Sequence, residues 1–228
     1  MASSTDTNAG ALKRKRNFFN DEELSDVIIM FGEEQVFAHK VILASGSIWF
    51  EKALLGNFSV MILITYSINE AKKKVVELHD DTGPDAIMAM LKHIYGLHLG
   101  NTFPEWRDGD GIGCYLEVYA IGDKYDVESL REQVTPMIRE ELEMGFIVPK
   151  IAPVFLEITI DYLQKILGPS AVQYADKTLV STTKELVLKN SDALMRAPRF
   201  QAKMALGEMF YQEFGIILLQ TVCESLRV

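Results

Sequence analysis

The hydrophobic pattern divides the chain into a patternless start, a mixed strand-and-helix body and a helical tail end. Residues 1–20 show no apolar periodicity and are rich in small and polar side chains, which predicts a disordered arm that we take to residue 23. From Ser25 the pattern changes abruptly. Val27-Ile28-Ile29-Met30-Phe31 is a β-prone apolar run, Gly32-Glu33-Glu34 supplies a turn, and Gln35-Val36-Phe37-Ala38 is a second short strand, which together predict a hairpin. Lys40–Ser45 predicts a short helix. A second starts near Ser47, with Ile48, Phe50 and Leu54 or Leu55 turned inward. Val75-Val76-Glu77-Leu78 reads as a further strand.

Asp80-Asp81-Thr82-Gly83-Pro84-Asp85 has the composition of a helix start. Thr82 is expected to cap free amides, with Asp85 three residues later as in a capping box. Ile87, Met90, Leu91, Ile94 and Tyr95 then form one apolar stripe. Residues 96–113, rich in glycine and acids, predict a long loop, followed by helices over Cys114–Tyr125 and Val127–Met144 with Asp126 as the second cap. Beyond Gly145 only helical patterns occur. Pro149 opens a segment whose Ile151, Val154, Phe155, Ile158, Tyr162 and Ile166 share one face, ending at Gly168-Pro169. Val172, Ala175, Leu179, Leu186 and Val187 mark another helical segment. Two more follow Asp192, broken near Pro198 and at Gly215. No internal repeat is present. The expected units are a tail (1–23), a mixed α+β body (24–144) and an all-α extension (145–228).

Within that order, Ser25-Asp26-Val27, then Phe37-Ala38-His39-Lys40-Val41-Ile42-Leu43-Ala44, then Ser47-Ile48-Trp49-Phe50, closely resemble the BTB/POZ signature. Val76-Glu77-Leu78-His79-Asp80-Asp81 and Ala120-Ile121-Gly122-Asp123-Lys124-Tyr125-Asp126-Val127 are similar to later stretches of that family's fungal branch. The likeness covers about Leu24 to Glu143. It implies an α+β, mostly helical cluster capped by a small three-stranded sheet, homodimerising through its first helices. It also implies a role as an adaptor, including for cullin-type ubiquitin ligases, or as a transcriptional co-regulator. Asp26 and Lys40 resemble the charged pair at the family's dimer pocket. Tyr115-Leu116-Glu117 meets the family's cullin-contacting pattern loosely, one position out of register. Ile48 stands where the family often has proline.

Ser59-Val60-Met61-Ile62-Leu63-Ile64-Thr65-Tyr66-Ser67-Ile68 has no counterpart in that pattern. It reads either as an added strand or as the in-frame translation of an unspliced intron. With no gatekeeper charge, it is an aggregation hazard.

Charge narrows the function. The net charge is −9, but residues 21–148 carry 10 basic against 23 acidic side chains, so this body repels phosphate backbones. Lys13-Arg14-Lys15-Arg16 is the one cationic cluster in the tail, and it fits either a nuclear-import tag or a tail charge without specific meaning. No apolar run reaches the roughly 20 residues of a bilayer span, and Met1–Gly10 lacks a secretion-signal core, so an intracellular protein is expected, cytoplasmic or nuclear. Cys114 and Cys223 lie far apart in apolar surroundings and are expected to be buried free thiols.

His39 follows a strand and has no partner motif, which argues against a base, and the BTB/POZ resemblance implies a buried hydrogen-bonding anchor. Gly109-Asp110-Gly111-Ile112-Gly113 lacks the preceding strand that a phosphate loop needs and predicts plain loop. Lys72-Lys73-Lys74 is placed beside an edge strand. With no catalytic set, metal cluster or cofactor motif, the expected function is a non-enzymatic protein–protein adaptor. The alternative is a nuclear co-regulator acting through protein partners.

Overall fold

The computed structural model describes residues 18–55, 74–79, 83–99, 111–147 and 154–225. Its β1 (Val27–Phe31) and β2 (Glu34–Ala38) form the expected hairpin, with Phe31 paired to Glu34 across a two-residue turn. Gly32 opens that turn at φ 57°, a conformation that favours glycine. The third strand β3 (Lys74–Glu77) pairs with β1 in parallel, so the sheet order is β2-β1-β3 and β3 is an edge. Lys74 sits on that edge, its Nζ donating to the Ala53 carbonyl at 3.1 Å. Alternation along β1 buries Val27, Ile29 and Phe31 against the helices, while Met30 on the other face is exposed.

Ten helices follow among the described residues. Helices α1 (Lys40–Gly46) and α2 (Ile48–Leu54) meet at Ser47. Ser47 Oγ accepts from the Phe50 amide at 3.0 Å and donates to the Tyr125 carbonyl at 2.6 Å, so one hydroxyl caps α2 and ties it to a distant turn. Trp49, Phe50 and Tyr125 pack ring on ring beside it. Helix α3 (Pro84–Ile94) carries the predicted stripe, with Ile87, Met90 and Leu91 buried. Gly46 lets α1 approach α3 closely, since a Cβ there would stand 2.8 Å from Ile94 Cγ2. Helix α1 therefore lies against the end of α3. Helices α4 (Gly111–Lys124) and α5 (Glu128–Ile147) complete this part. The extension comprises α6 (Val154–Leu167), α7 (Thr178–Lys189), α8 (Ser191–Arg196), α9 (Pro198–Ala205) and α10 (Gln212–Ser225).

Several local expectations need correction. Residues 18–23, assigned to the disordered arm, are held by contacts: Phe19 packs edge-on against Tyr95, and Asn20 Oδ1 accepts from the Phe37 amide at 3.0 Å. Helix α3 takes Gly83 as its N-cap, with Pro84 at its first position; the expected cap Thr82 lies outside the described residues. Gly111–Gly113 belongs to α4 instead of a loop, because the apolar Ile112 is buried and continues the helix backward. Asp126 is not a helix cap. It takes φ 50° between α4 and α5 and points its carboxylate at Arg131, 3.4 Å away. Helix α5 runs straight through Gly145 to Ile147.

The inward face of α6 also differs. Of the residues that share a face in the sequence, Tyr162 and Ile166 are buried and Val154, Phe155 and Ile158 exposed, with Thr159, Ile160 and Leu163 taking the inner positions. The cause is Gly145: its missing side chain admits Thr159 against α5, where any Cβ would overlap Thr159 Oγ1. That turns Phe155 and Ile158 toward water. The cysteines are free, as expected, but Cys114 is half-buried and Cys223 on α10 is exposed.

Candidate protein-interaction surfaces

Around the start of α1 the sequence-predicted residues do come together, in a different pairing. Asp26 Oδ1 accepts the backbone N–H of Lys40 at 2.8 Å, so the carboxylate serves the first free amide of α1 and not the lysine ammonium. Asp26 is exposed and Lys40 half-buried, so the chain by itself holds no buried ion pair here. The reason is reach: the β1–α1 geometry brings the peptide N–H, not the long side chain, to Asp26.

His39, the residue between them, is the buried anchor that was expected. Its backbone N–H donates to Tyr95 Oη at 2.8 Å, and its Nδ1 lies 2.9 Å from the same oxygen. An amide can only donate, so the phenol oxygen accepts there and its own proton is free to serve Nδ1. The donor in the Nδ1 contact follows the tautomer of the ring, and Nε2 is buried without a partner among the described residues. Burial first, with the nearby Asp26 charge adding to it, pushes the Tyr95 phenol up to about 12 despite the hydrogen bond from His39. Sequence reasoning missed Tyr95 because it was assigned to the apolar stripe of α3.

Tyr115 and Glu117 lie inside α4, not before a helix. Tyr115 is half-buried; its burial and the acids Glu141 and Glu140 on α5 raise its phenol, and Glu117 is exposed. Lys13–Arg16 and Ser59–Ile68 fall outside the described residues.

The strongest polar cluster was not anticipated as one. It joins α4 and α5 to the segment leading into α7. Both Asp123 carboxylate oxygens accept backbone N–H groups, from Ala175 and Asp176, each at 2.9 Å. Asp176 accepts from Thr178 N and Oγ1 and from Tyr119 Oη at 3.0 Å, and lies 3.4 Å from Arg131 Nε. Arg131 donates to the Gly122 carbonyl at 2.8 Å and faces Asp126. Burial works to raise the Asp176 carboxyl, but the hydrogen bonds from Thr178 and Tyr119 and the Arg131 charge outweigh it and hold the group below its ordinary value. A concavity of about 500 Å³ opens beside the cluster. Asp123 stood within the family-like stretch, yet its partners are backbone amides some fifty positions away, which no local pattern reveals.

His93 Nε2 contacts Ser129 Oγ at 2.8 Å, but Gln133, not a carboxylate, is its other hydrogen-bond partner, and burial lowers its pKa below 6.5. Among the described residues there is no group of acids, histidines and cysteines able to hold a metal, and no helix is long and apolar enough to cross a membrane. What the surface does offer is apolar side chains. Val41 on α1 is 73% exposed, and Leu24, Ile48 and Leu55 are exposed in the same part of the chain. A second apolar area, on the extension, contains Leu206, Tyr211, Ile216, Ile217 and Leu219.

A hairpin whose second strand leads directly into α1, a parallel β3, and the α3–α5 cluster beneath them define a protein-interaction domain. The chain belongs to the BTB/POZ domain family, whose sequence profile matches residues 16–142. It is also similar to BTB and MATH domain-containing protein 42 of Caenorhabditis elegans, with 29% identity over 149 residues. That alignment covers 65% of this chain and 32% of the worm protein, so the chain spans about a third of that relative's length.

Proposed function

We propose that the protein is a non-enzymatic adaptor that homodimerises through its BTB domain and uses its helical extension to hold a second protein. The carrying observation is the exposure of Val41, Ile48, Leu24 and Leu55 on and around α1 and α2, where an unpartnered surface keeps large apolar groups in water. In a dimer that face, with Asp26 and Lys40 beside it, becomes buried, and Lys40's ammonium gains a neighbour from the second copy. Sedimentation equilibrium of the chain and of Val41→Asp tests this: a dimer that the substitution splits is expected. A wild-type monomer at high concentration would remove the reading.

Adaptor service to a cullin-type ubiquitin ligase is the finer form of the proposal, with Tyr115 and Glu117 on α4 as the contact. The loosely met pattern and the exposure of Glu117 support it. Titration with a purified cullin N-terminal domain tests it, and Tyr115→Ala with Glu117→Ala should abolish any binding seen. The second reading, a nuclear co-regulator acting through protein partners, rests on Lys13-Arg14-Lys15-Arg16. Replacing those four by alanine should move a tagged chain out of the nucleus. Within the family we propose the fungal branch, on the stretches around His79 and Asp123. A tree grouping the chain with animal MATH-containing members would reverse that.

A further inference from the structure

Two clefts meet on the extension, at Tyr211. One, of about 450 Å³, is lined by Met204, Met209, Phe210, Ile216 and Leu219 and contains no charged residue. The other, of about 220 Å³, lies between α7 and the Gly168–Tyr174 segment, and the charges lining it are Lys177 and Lys184. The first falls within the roughly 300–1,000 Å³ typical of small ligand sites. The absence of any lining carboxylate stands out in a chain of net charge −9.

Neither lysine is neutralised. Lys177 Nζ donates to the Tyr174 carbonyl and Lys184 lies 5.2 Å from the Phe214 ring centroid, but no ion pair among the described residues includes either. Beside the clefts, α10 is apolar on more than one face. Phe214 and Leu218 are buried in the core, while Ile216, Ile217 and Leu219 each keep close to half their surface in water. A helix with apolar residues beyond its buried stripe is built for a further contact.

We propose that this double cleft binds a short segment of a partner protein that combines large apolar anchors with flanking acids. The anchors fill the uncharged cleft along α10, and the acids meet Lys177 and Lys184. The charge pattern selects this occupant over a second copy of the chain. An isologous contact would bring the same unpaired lysines toward one another, with no lining acid to offset them. The buried floor of the first cleft, Met209 and Phe210, selects it over a lipid surface, since an anchoring side chain can reach into it and a flat bilayer face cannot. The proposal rests on the reading of the extension as the partner-holding part, and does not require the BTB dimer.

The test is a display selection of random short peptides on the full chain, followed by binding of the winning peptide, dye-labelled, to purified variants. Enrichment of sequences pairing Leu, Ile, Phe or Trp with Asp or Glu is expected. Ile216→Asp should weaken that peptide more than about tenfold. Lys177→Gln with Lys184→Gln should weaken it roughly two- to fivefold, less at high salt. Lys177→Glu with Lys184→Glu should shift the selection toward Lys- and Arg-bearing sequences. Thermal unfolding confirms that each variant is folded, and Ile216→Ala replaces the aspartate should that unfold.

Failure to enrich any sequence, enrichment of basic ones on the unmodified chain, or binding indifferent to Ile216 would overturn the proposal. So would a dimer dissolved by Ile216→Asp, which would put a second copy in the cleft. Sedimentation with phosphatidylserine vesicles that depends on Ile216, without peptide enrichment, would put a membrane there instead. A chain that is monomeric yet binds the peptide sinks the dimer and keeps the cleft.

Discussion

Tyr95 shows how one hydroxyl can hold a signature motif in place. It satisfies both the His39 amide and the His39 ring, and thereby fixes the turn from β2 into α1 against the end of α3. Tyr95→Phe keeps the ring contacts with Phe19 and His39 but leaves a buried amide and an imidazole nitrogen without their partner. Leaving a buried donor unsatisfied costs about 1–3 kcal/mol. Urea unfolding should show a loss of that size at unchanged m-value, and an unaltered midpoint would mean that water reaches His39. The motif's Asp26 works similarly, serving the Lys40 amide. Asp26, His39 and Lys40 were thus legible as a set from the family resemblance, while the partner of each was not. A sequence lists charges and rings but not which backbone amide a turn brings within 3 Å.

Helices were placed well wherever one face alone is buried. The stripe of α3 gives Ile87, Met90 and Leu91 directly, since a period of 3.6 leaves one solution, whereas the unbroken apolar run of β1 does not say that Val27, Ile29 and Phe31 turn inward. Helix α6 defeats the same logic because apolar residues occur on two of its faces and the partner helix decides between them. Gly145 makes that decision by admitting Thr159 to α5. Gly145→Ala should therefore be costly even though alanine is the better helix former by about 1 kcal/mol. The added methyl meets Thr159 Oγ1 and the Phe155 backbone carbonyl, and overpacking against a neighbouring backbone costs about 1–3 kcal/mol. A lowered melting temperature, partly restored by Thr159→Ala, is the expected result. A variant as stable as the parent would show that α6 can slide on α5. Helices α7 to α10 were harder to place than α6, because their breaks at Asn190, Ala197 and Gly207 depend on how short helices turn over one another.

The tie between the BTB domain and its extension is electrostatic as well as apolar, and pH separates the two contributions. Buried residues from the sheet, α3–α5 and the extension form one continuous core, which favours a single unfolding transition. Across that core, Asp123 and Asp176 bind backbone amides, the Tyr119 hydroxyl and Arg131, contacts that call for ionised carboxylates. Because the folded-state value of Asp176 lies below its ordinary 3.8, the native protein binds fewer protons than the unfolded chain just beneath that value. Its stabilisation is thus complete above the unfolded value and lost as pH falls through the lowered folded one. Asp176→Asn should remove part of this acid limb, giving a melting temperature less dependent on pH between about 5 and 3, with a lower plateau near neutrality. Hydrogen exchange on the same variant should speed up first at Ala175–Thr178 and the start of α7, while β1 and α3 stay protected. An acid limb unchanged by the substitution would mean that the apolar contacts of α5 with α6 and α7 hold the extension without help. The two surfaces assigned to partners, around Val41 and around Ile216, would then be joined by packing alone.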